Sequence, residues 1–119
     1  MSKPRIAITM GDPAGIGPEI CLDLLNDRVI SSKCTPIVFG DWSVLQNCAE
    51  KTNKSFEISK ISATEFSGIQ SPTVFDHTFI DPSNFTPGTA DAKTGRATYG
   101  YVPSAIDACL PNKIDAVVT

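Results

Sequence analysis

A glycine-rich segment near the N-terminus, residues 11–17, most constrains what this chain can fold into. The preceding residues 5–10 are apolar and include β-branched side chains, a pattern that predicts a buried strand. Pro18 and Glu19 follow, and both suit a first helical turn, because proline needs no N–H partner there and a carboxylate complements the helix dipole. An apolar strand, a glycine turn and an amphipathic helix ending near Asn26 together predict the start of an α/β unit.

The remaining sequence alternates between strand-like and helix-like patterns. Further strands are predicted at residues 36–40, 56–61, 73–80 and 114–119, a loop at residues 81–88, and helices after Asp41 and at residues 93–110. Asp41 is expected to be the N-cap of its helix, and Pro103 is expected to kink or split the last one. The order of elements favours one α/β segment over residues 1–119, an α/β/α sandwich with a mostly parallel sheet.

Composition excludes several classes of function. The chain has 119 residues and a net charge of −3, so it lacks the basic face of a nucleic-acid binder and the polybasic signal of a membrane-surface protein. Four cysteines without a C-x-x-C pair, and no signal-like apolar run, indicate buried or half-buried thiols in a reducing compartment, and hence a cytoplasmic protein. The single histidine, His77, cannot build a histidine-rich metal site and is expected to be a surface or hydrogen-bonded residue.

The glycine-rich segment is also the strongest chemical signal. It follows the carboxyl end of a strand, where ligands collect in open α/β sheets, and it precedes a helix N-terminus, which attracts anions. Its spacing is neither G-x-G-x-x-G nor a P-loop, so a tight turn that needs glycine for conformation alone remains an equal alternative.

Three single residues have a functional and a structural interpretation each. Asp12 can orient a cofactor group, although helix capping is the commoner role. Arg96 can meet a phosphate, although a solvated arginine is commoner. Trp42 is expected to be a packing residue.

Two motifs make the chain recognisable. Residues 8–20, which read I-T-M-G-D-P-A-G-I-G-P-E-I, resemble the opening signature of the 4-hydroxythreonine-4-phosphate dehydrogenase family. Their core, residues 15–19, also resembles the start of isocitrate and isopropylmalate dehydrogenases, which share that fold. The second motif comprises Pro87-Gly88, Gly95-Arg96-Ala97, Ala105 and residues 114–119, with Lys93-Thr94 and Pro103 as departures from the family pattern.

The resemblance implies an NAD-dependent oxidation and decarboxylation of a phosphorylated hydroxy acid, in pyridoxal phosphate biosynthesis or a related catabolic route. It implies a divalent metal (Zn, Mg or Co) held by three histidines, a site between two subdomains and a homodimer. The metal ligands and the main phosphate-binding residues are expected after Thr119, so no catalytic or metal-binding residue is assigned in this chain. The cofactor-binding candidates are Gly11, Asp12, Ala14 and Gly15.

These expectations make the chain the N-terminal part of a longer two-subdomain enzyme with an isopropylmalate dehydrogenase-like fold, inactive on its own. 4-Hydroxythreonine phosphate, threonate phosphate and erythronate phosphate are all compatible substrates. Two alternatives stay open. One is a small phosphate- or nucleotide-binding module that is complete in itself, and the other is a non-catalytic fragment that contributes fold or oligomer contacts.

Overall fold

The computed structural model of the chain describes residues 3–62, 66, 68–81, 88, 91–110 and 113–119. These residues form five strands and four helices. In chain order the elements are β1 (Arg5–Thr9), α1 (Gly17–Leu25), α2 (Arg28–Lys33), β2 (Thr35–Gly40), α3 (Trp42–Thr52), β3 (Ser59–Ile61), β4 (Thr73–Asp76), α4 (Ala92–Cys109) and β5 (Ala116–Val118). The predicted loop at residues 81–88 lies mostly outside the described residues.

The strands form one five-stranded sheet with the order β3-β4-β2-β1-β5. All four pairings are parallel, which confirms the predicted mostly parallel sheet. β1 lies between β2 and β5, so Ile6 pairs with Pro36 on one side and with Ala116 on the other. Every carboxyl end of a strand therefore points to the same edge of the sheet.

Helices cover both faces of the sheet. Alternate residues of a strand point to opposite faces, and the described apolar residues accordingly form two clusters. Ile8, Val38 and Val74 pack with residues of α1 and α3, whereas Ala7 and Phe39 pack with the second half of α4. The predicted α/β/α sandwich is confirmed.

Helix α4 has 18 residues and continues through Pro103, so of the two expected effects of proline, a kink or a split, the split is wrong. Pro103 lacks the N–H that would bond to the carbonyl of Tyr99. Both residues are exposed, so the interrupted turn lies on the solvent side of the helix.

The other differences from the predicted elements concern short segments. The predicted strands at residues 56–61, 73–80 and 114–119 shorten to Ser59–Ile61, Thr73–Asp76 and Ala116–Val118. Helix α2 was not predicted, since six residues carry too little periodicity. It begins because the Asp27 carboxylate accepts the N–H groups of Val29 and Ile30, at 2.8 and 3.2 Å. Among the described residues, no helix is both long enough and apolar enough to cross a membrane.

Candidate functional site

The carboxyl edge of the parallel sheet gathers the chain's most chemically distinctive residues. β1 ends at the loop of residues 10–16, which leads into α1. β2 ends at Gly40 and is followed by Asp41, and β4 ends at Asp76 and is followed by His77. Ligands bind at this edge in open α/β sheets, and it is the edge at which the sequence places its candidate residues.

The four cofactor-binding candidates lie together in one turn that Asp12 closes. The Asp12 carboxylate accepts the N–H of Ala14 at 2.8 Å, and its carbonyl accepts the N–H of Gly15 at 2.9 Å. Gly11 has a φ of 77°, a conformation that favours glycine. Helix capping, the commoner role expected for Asp12, is wrong, because Ile16 is the N-cap of α1 and no side chain caps the helix there.

The three glycines of the loop serve different purposes. Gly17 is required by packing, since a Cβ atom there would collide with the carbonyl oxygen of Met10. Gly11 is required by its backbone conformation. Gly15 is exposed, and a Cβ atom there would make only ordinary contact with Asp12, at 3.4 Å from its carbonyl oxygen. The tight-turn interpretation therefore explains Gly11 and Gly17 but leaves Gly15 without a structural requirement.

A fully buried carboxylate links the end of β2 to helix α4. Asp41 is 0% exposed, and it accepts the hydroxyl of Tyr101 and the N–H of Ile80, both at 2.7 Å. Burial, and secondarily the hydrogen bond to Asp41, raises the pKa of Tyr101, so its hydroxyl keeps its proton and continues to donate. Asp41 occupies the N-cap position of α3, as predicted, but its side chain does not cap the helix.

The strand beside β2 in the sheet, β4, supplies the cap of α3 instead. The Asp76 carboxylate at the end of β4 accepts the N–H of Trp42, the first residue of α3, at 3.1 Å. Asp76 also accepts the N–H of Thr78 at 3.2 Å. This exchange releases the Asp41 side chain to bind α4. Sequence reasoning missed Asp76 and Tyr101, although a carboxylate directly after the apolar residues Val74 and Phe75 was the available signal for Asp76.

His77 forms a second link between the sheet and α4. Its Nδ1 lies 2.9 Å from the carbonyl oxygen of Phe75 and 3.1 Å from that of Gly40, so these acceptors assign the proton to Nδ1. Its Nε2 lies 2.8 Å from the Ser104 hydroxyl, which then donates to it. The prediction of a hydrogen-bonded histidine is confirmed.

Glu19, Trp42 and the cysteines have the structural roles that the sequence predicts for them. Glu19 lies in the first turn of α1, as predicted, 3.6 Å from the Lys54 ammonium. The half-buried Trp42 packs on Phe56 with ring centroids 4.4 Å apart, which confirms its packing role. The cysteines are free and buried or half-buried, as predicted, and burial raises the pKa of Cys21 to about 12. In the described part of the chain, no group of three or more histidine, cysteine or acidic residues could hold a metal ion.

Comparison with known proteins gives a consistent result. The family model described as pyridoxal phosphate biosynthetic protein PdxA matches residues 32–119. A 4-hydroxythreonine-4-phosphate dehydrogenase of Trichlorobacter lovleyi is 32% identical over 120 residues, which are 98% of this chain and 36% of that protein. A protein of Symbiobacterium thermophilum, provisionally named D-threonate 4-phosphate dehydrogenase, is also 32% identical and covers 99% of this chain and 36% of its own.

A solved structure agrees in fold. The crystal structure of a 4-hydroxythreonine-4-phosphate dehydrogenase from Burkholderia phymatum superposes with a TM-score of 0.85 at 28% identity. The match covers 98% of this chain and 36% of that one. This chain thus spans about a third of the length of the relatives that it matches.

Proposed function

The chain belongs to the PdxA family of pyridoxal phosphate biosynthetic proteins, and on that premise we propose that it forms part of a dehydrogenase acting on a phosphorylated hydroxy acid. The relatives' names support two such substrates, 4-hydroxythreonine 4-phosphate and D-threonate 4-phosphate. The observation that carries the proposal is the exposed Gly15 in the loop at the carboxyl edge of a parallel sheet, in a chain of this family. We infer that the reaction uses NAD and ends in decarboxylation, in a cytoplasmic homodimer.

The loop of residues 10–16 fits a role beside the cofactor. NAD supplies a hydride acceptor when bound. Asp12 holds the turn closed, so Gly11, Ala14 and Gly15 keep one backbone shape without help from a ligand. Gly15 is exposed and leaves space for a bound group to approach the backbone. The first turn of α1 has no side-chain cap, so its N–H groups remain suited to an anionic part of a ligand.

The described residues do not fit a metal site. They bring together no set of three metal-binding side chains, so no step of the reaction is assigned to a metal here. We propose that the divalent ion implied by the family resemblance is held by residues outside this chain. The contribution of this chain is to bind and orient, with α4 fixed over the sheet by Asp41 and His77.

Gly15 provides the sharpest test of the loop. The chain would replace the aligned 120-residue segment of the Trichlorobacter lovleyi relative, and NAD reduction by this chimera would be followed with 4-hydroxythreonine 4-phosphate. Gly15 is exposed and a Cβ atom there makes only ordinary contact with Asp12, so for Gly15→Leu we expect the KM for NAD to rise at least about tenfold with unchanged thermal unfolding. Ser32→Leu, on the exposed side of α2, is the matched control and should leave KM unchanged.

An unchanged KM and kcat in the Gly15→Leu chimera, with an active parent chimera, would show that the loop does not approach the cofactor. A change in kcat alone would place the loop beside the substrate instead. Both outcomes are separable from misfolding because thermal unfolding is measured on the same samples.

A further inference from the structure

A cleft between β4 and the start of α4 lies outside the loop to which the proposed function assigns the cofactor. Its volume is about 440 Å³, within the range of small-ligand sites. Phe79, Ile80 and Asp81 line one side, and the first turns of α4 line the other. The N–H of Ile80 is held by Asp41 and Tyr101 is held by the same carboxylate, so both walls are fixed to one buried group. Hydrogen bonds to one buried carboxylate therefore hold the two walls of the cleft in place at the carboxyl edge.

Two cations lie on the helical wall. Lys93 and Arg96 are three residues apart on α4, so their side chains are neighbours on one face of the helix, and both are exposed and line the cleft. The helix N-terminus itself is already occupied, because the Asp91 carboxylate accepts the N–H groups of Lys93 and Thr94 at 2.9 Å. The ion pairs found among the described residues all involve Lys54, so Lys93 and Arg96 are not neutralised by them. An anion in this cleft would be bound by these two side chains.

The opposite wall carries an exposed aromatic ring. Phe79 is 49% exposed, and its ring stacks on Tyr101 at 5.5 Å between centroids with an angle of 19°. Gly100 permits this position, since a Cβ atom there would lie 2.6 Å from Cε2 of Phe79. A half-exposed phenylalanine held on a rigid support offers a flat apolar surface that a planar group can cover.

Two carboxylates complete the lining. Asp81 lies on the aromatic side and Asp91 on the helical side. One oxygen of Asp91 accepts the two helix N–H groups. Carboxylates accept hydrogen bonds from hydroxyl groups, whereas they would repel a ligand that is anionic throughout. The lining thus suits a ligand with one anionic end, hydroxyl groups and a planar apolar part.

We propose that this cleft is a subsite for a nucleoside monophosphate group, with its phosphate at Lys93 and Arg96, its sugar hydroxyls near Asp81 and Asp91, and its base on Phe79. The same chemistry is present in a free mononucleotide and in half of a dinucleotide such as NAD. The subsite does not depend on the proposed dehydrogenase activity, because it is tested by binding alone.

Isothermal titration of the purified 119-residue chain with AMP tests the subsite. Lys93→Gln combined with Arg96→Gln should weaken AMP binding by at least about a hundredfold, since each removes a charge-assisted hydrogen bond. Arg28→Gln combined with Lys33→Gln removes the same charge from the exposed surface of α2 and should leave the affinity unchanged. Equal weakening by both pairs, or no heat at millimolar AMP, would overturn the proposal.

A second set of ligands separates the parts of the subsite. Phe79→Leu should weaken AMP at least about tenfold and leave ribose 5-phosphate unchanged, because only AMP has a base to stack. Equal loss for both ligands would contradict the role of Phe79. NAD binding that is also lost in the Lys93 and Arg96 variant would identify the dinucleotide as the source, whereas AMP binding alone would identify a free mononucleotide. Turnover by the chimera without AMP binding would remove this subsite and leave the proposed function intact.

Discussion

Gly17 and Gly95 both lie in helices, but the fold excludes a side chain at Gly17 and leaves space for one at Gly95. A Cβ atom at Gly17 would collide with the carbonyl oxygen of Met10, so Gly17→Ala forces the start of α1 away from the end of β1. We expect it to lower the free energy of unfolding by at least about 3 kcal/mol, measured by urea denaturation. Gly95 is the matched control, since a Cβ atom there meets nothing within 4 Å.

Gly95→Ala should instead stabilise the chain by about 1 kcal/mol, because alanine is the better residue in an exposed helix interior. Similar small effects of the two substitutions would contradict the close approach of Gly17 to Met10. Loss of stability in Gly95→Ala would show that the first turns of α4 are packed more tightly than the structure indicates.

The buried hydrogen bond between Tyr101 and Asp41 predicts a pH dependence of stability. The pKa of Tyr101 is raised in the folded chain, so its contribution is complete below the ordinary tyrosine pKa of about 10 and is lost as the pH rises above that value. Tyr101→Phe should cost about 2 kcal/mol at neutral pH and should reduce the loss of stability above pH 10. Urea unfolding from neutral to alkaline pH measures both effects.

Tyr99→Phe is the control for this prediction, since Tyr99 is 81% exposed. It should leave both the stability and its alkaline slope unchanged. Lys54, whose pKa is raised by its hydrogen bond to Asp23, also titrates in this range but is present in both variants. The same alkaline slope in the wild type and in Tyr101→Phe would contradict the account of the buried pair.

For single residues, the sequence predicts where a side chain lies in the fold better than it predicts which group that side chain binds. Asp41 does occupy an N-cap position, but its carboxylate binds Tyr101, 60 residues away, while Asp76 from the neighbouring strand caps α3. Local spacing contains no information about which carboxylate of two adjacent strands reaches a helix start. His77 was predictable as a hydrogen-bonded residue, but its partner Ser104 depends on where α4 crosses the sheet.

Among the elements, α4 combines a well-predicted boundary with an unexpected interior. Its extent, Ala92–Cys109, differs by one residue at each end from the predicted 93–110, because the Asp91 capping box and the apolar periodicity are local signals. Pro103 in the interior was expected to kink or split it, and the helix continues through it. Short elements such as α2 and β3 were predicted less well, since their lengths depend on pairing and capping rather than periodicity.

Pro103 removes one backbone hydrogen bond from the interior of α4. Pro103→Ala restores an N–H group to an exposed helix interior, and we expect the free energy of unfolding to rise by about 2 kcal/mol, the helix gain less the loss of chain stiffness in the unfolded state. Urea unfolding with helix content followed by circular dichroism measures this. A decrease in stability would mean that the shape that proline gives to α4 is needed for its packing on the sheet.

For the whole molecule, the comparisons and the fold agree on the family. The position of the candidate site at the carboxyl edge could be predicted from the sequence, because an apolar strand, a glycine turn and a helix follow one another in that order. The cleft at Lys93, Arg96 and Phe79 could not, since it joins residues from separate elements.

The purified 119-residue chain should reduce no NAD when supplied with 4-hydroxythreonine 4-phosphate and Mg²⁺, Zn²⁺ or Co²⁺. The reason is that the family resemblance implies metal ligands and phosphate-binding residues outside this chain. An absorbance assay for NADH, with the intact Trichlorobacter lovleyi relative as the positive control, checks this. Turnover by the chain alone would place a complete catalytic centre within it.

The most direct measurement is the turnover of the unmodified chimera, in which this chain replaces the aligned segment of the Trichlorobacter lovleyi relative. If the chain forms the carboxyl-edge layer of a PdxA-family dehydrogenase, the chimera should reduce NAD with 4-hydroxythreonine 4-phosphate or D-threonate 4-phosphate, within about a hundredfold of the relative's kcat/KM. A chimera that unfolds cooperatively at the same midpoint temperature as the relative, yet reduces no NAD with either substrate, would contradict the proposed function.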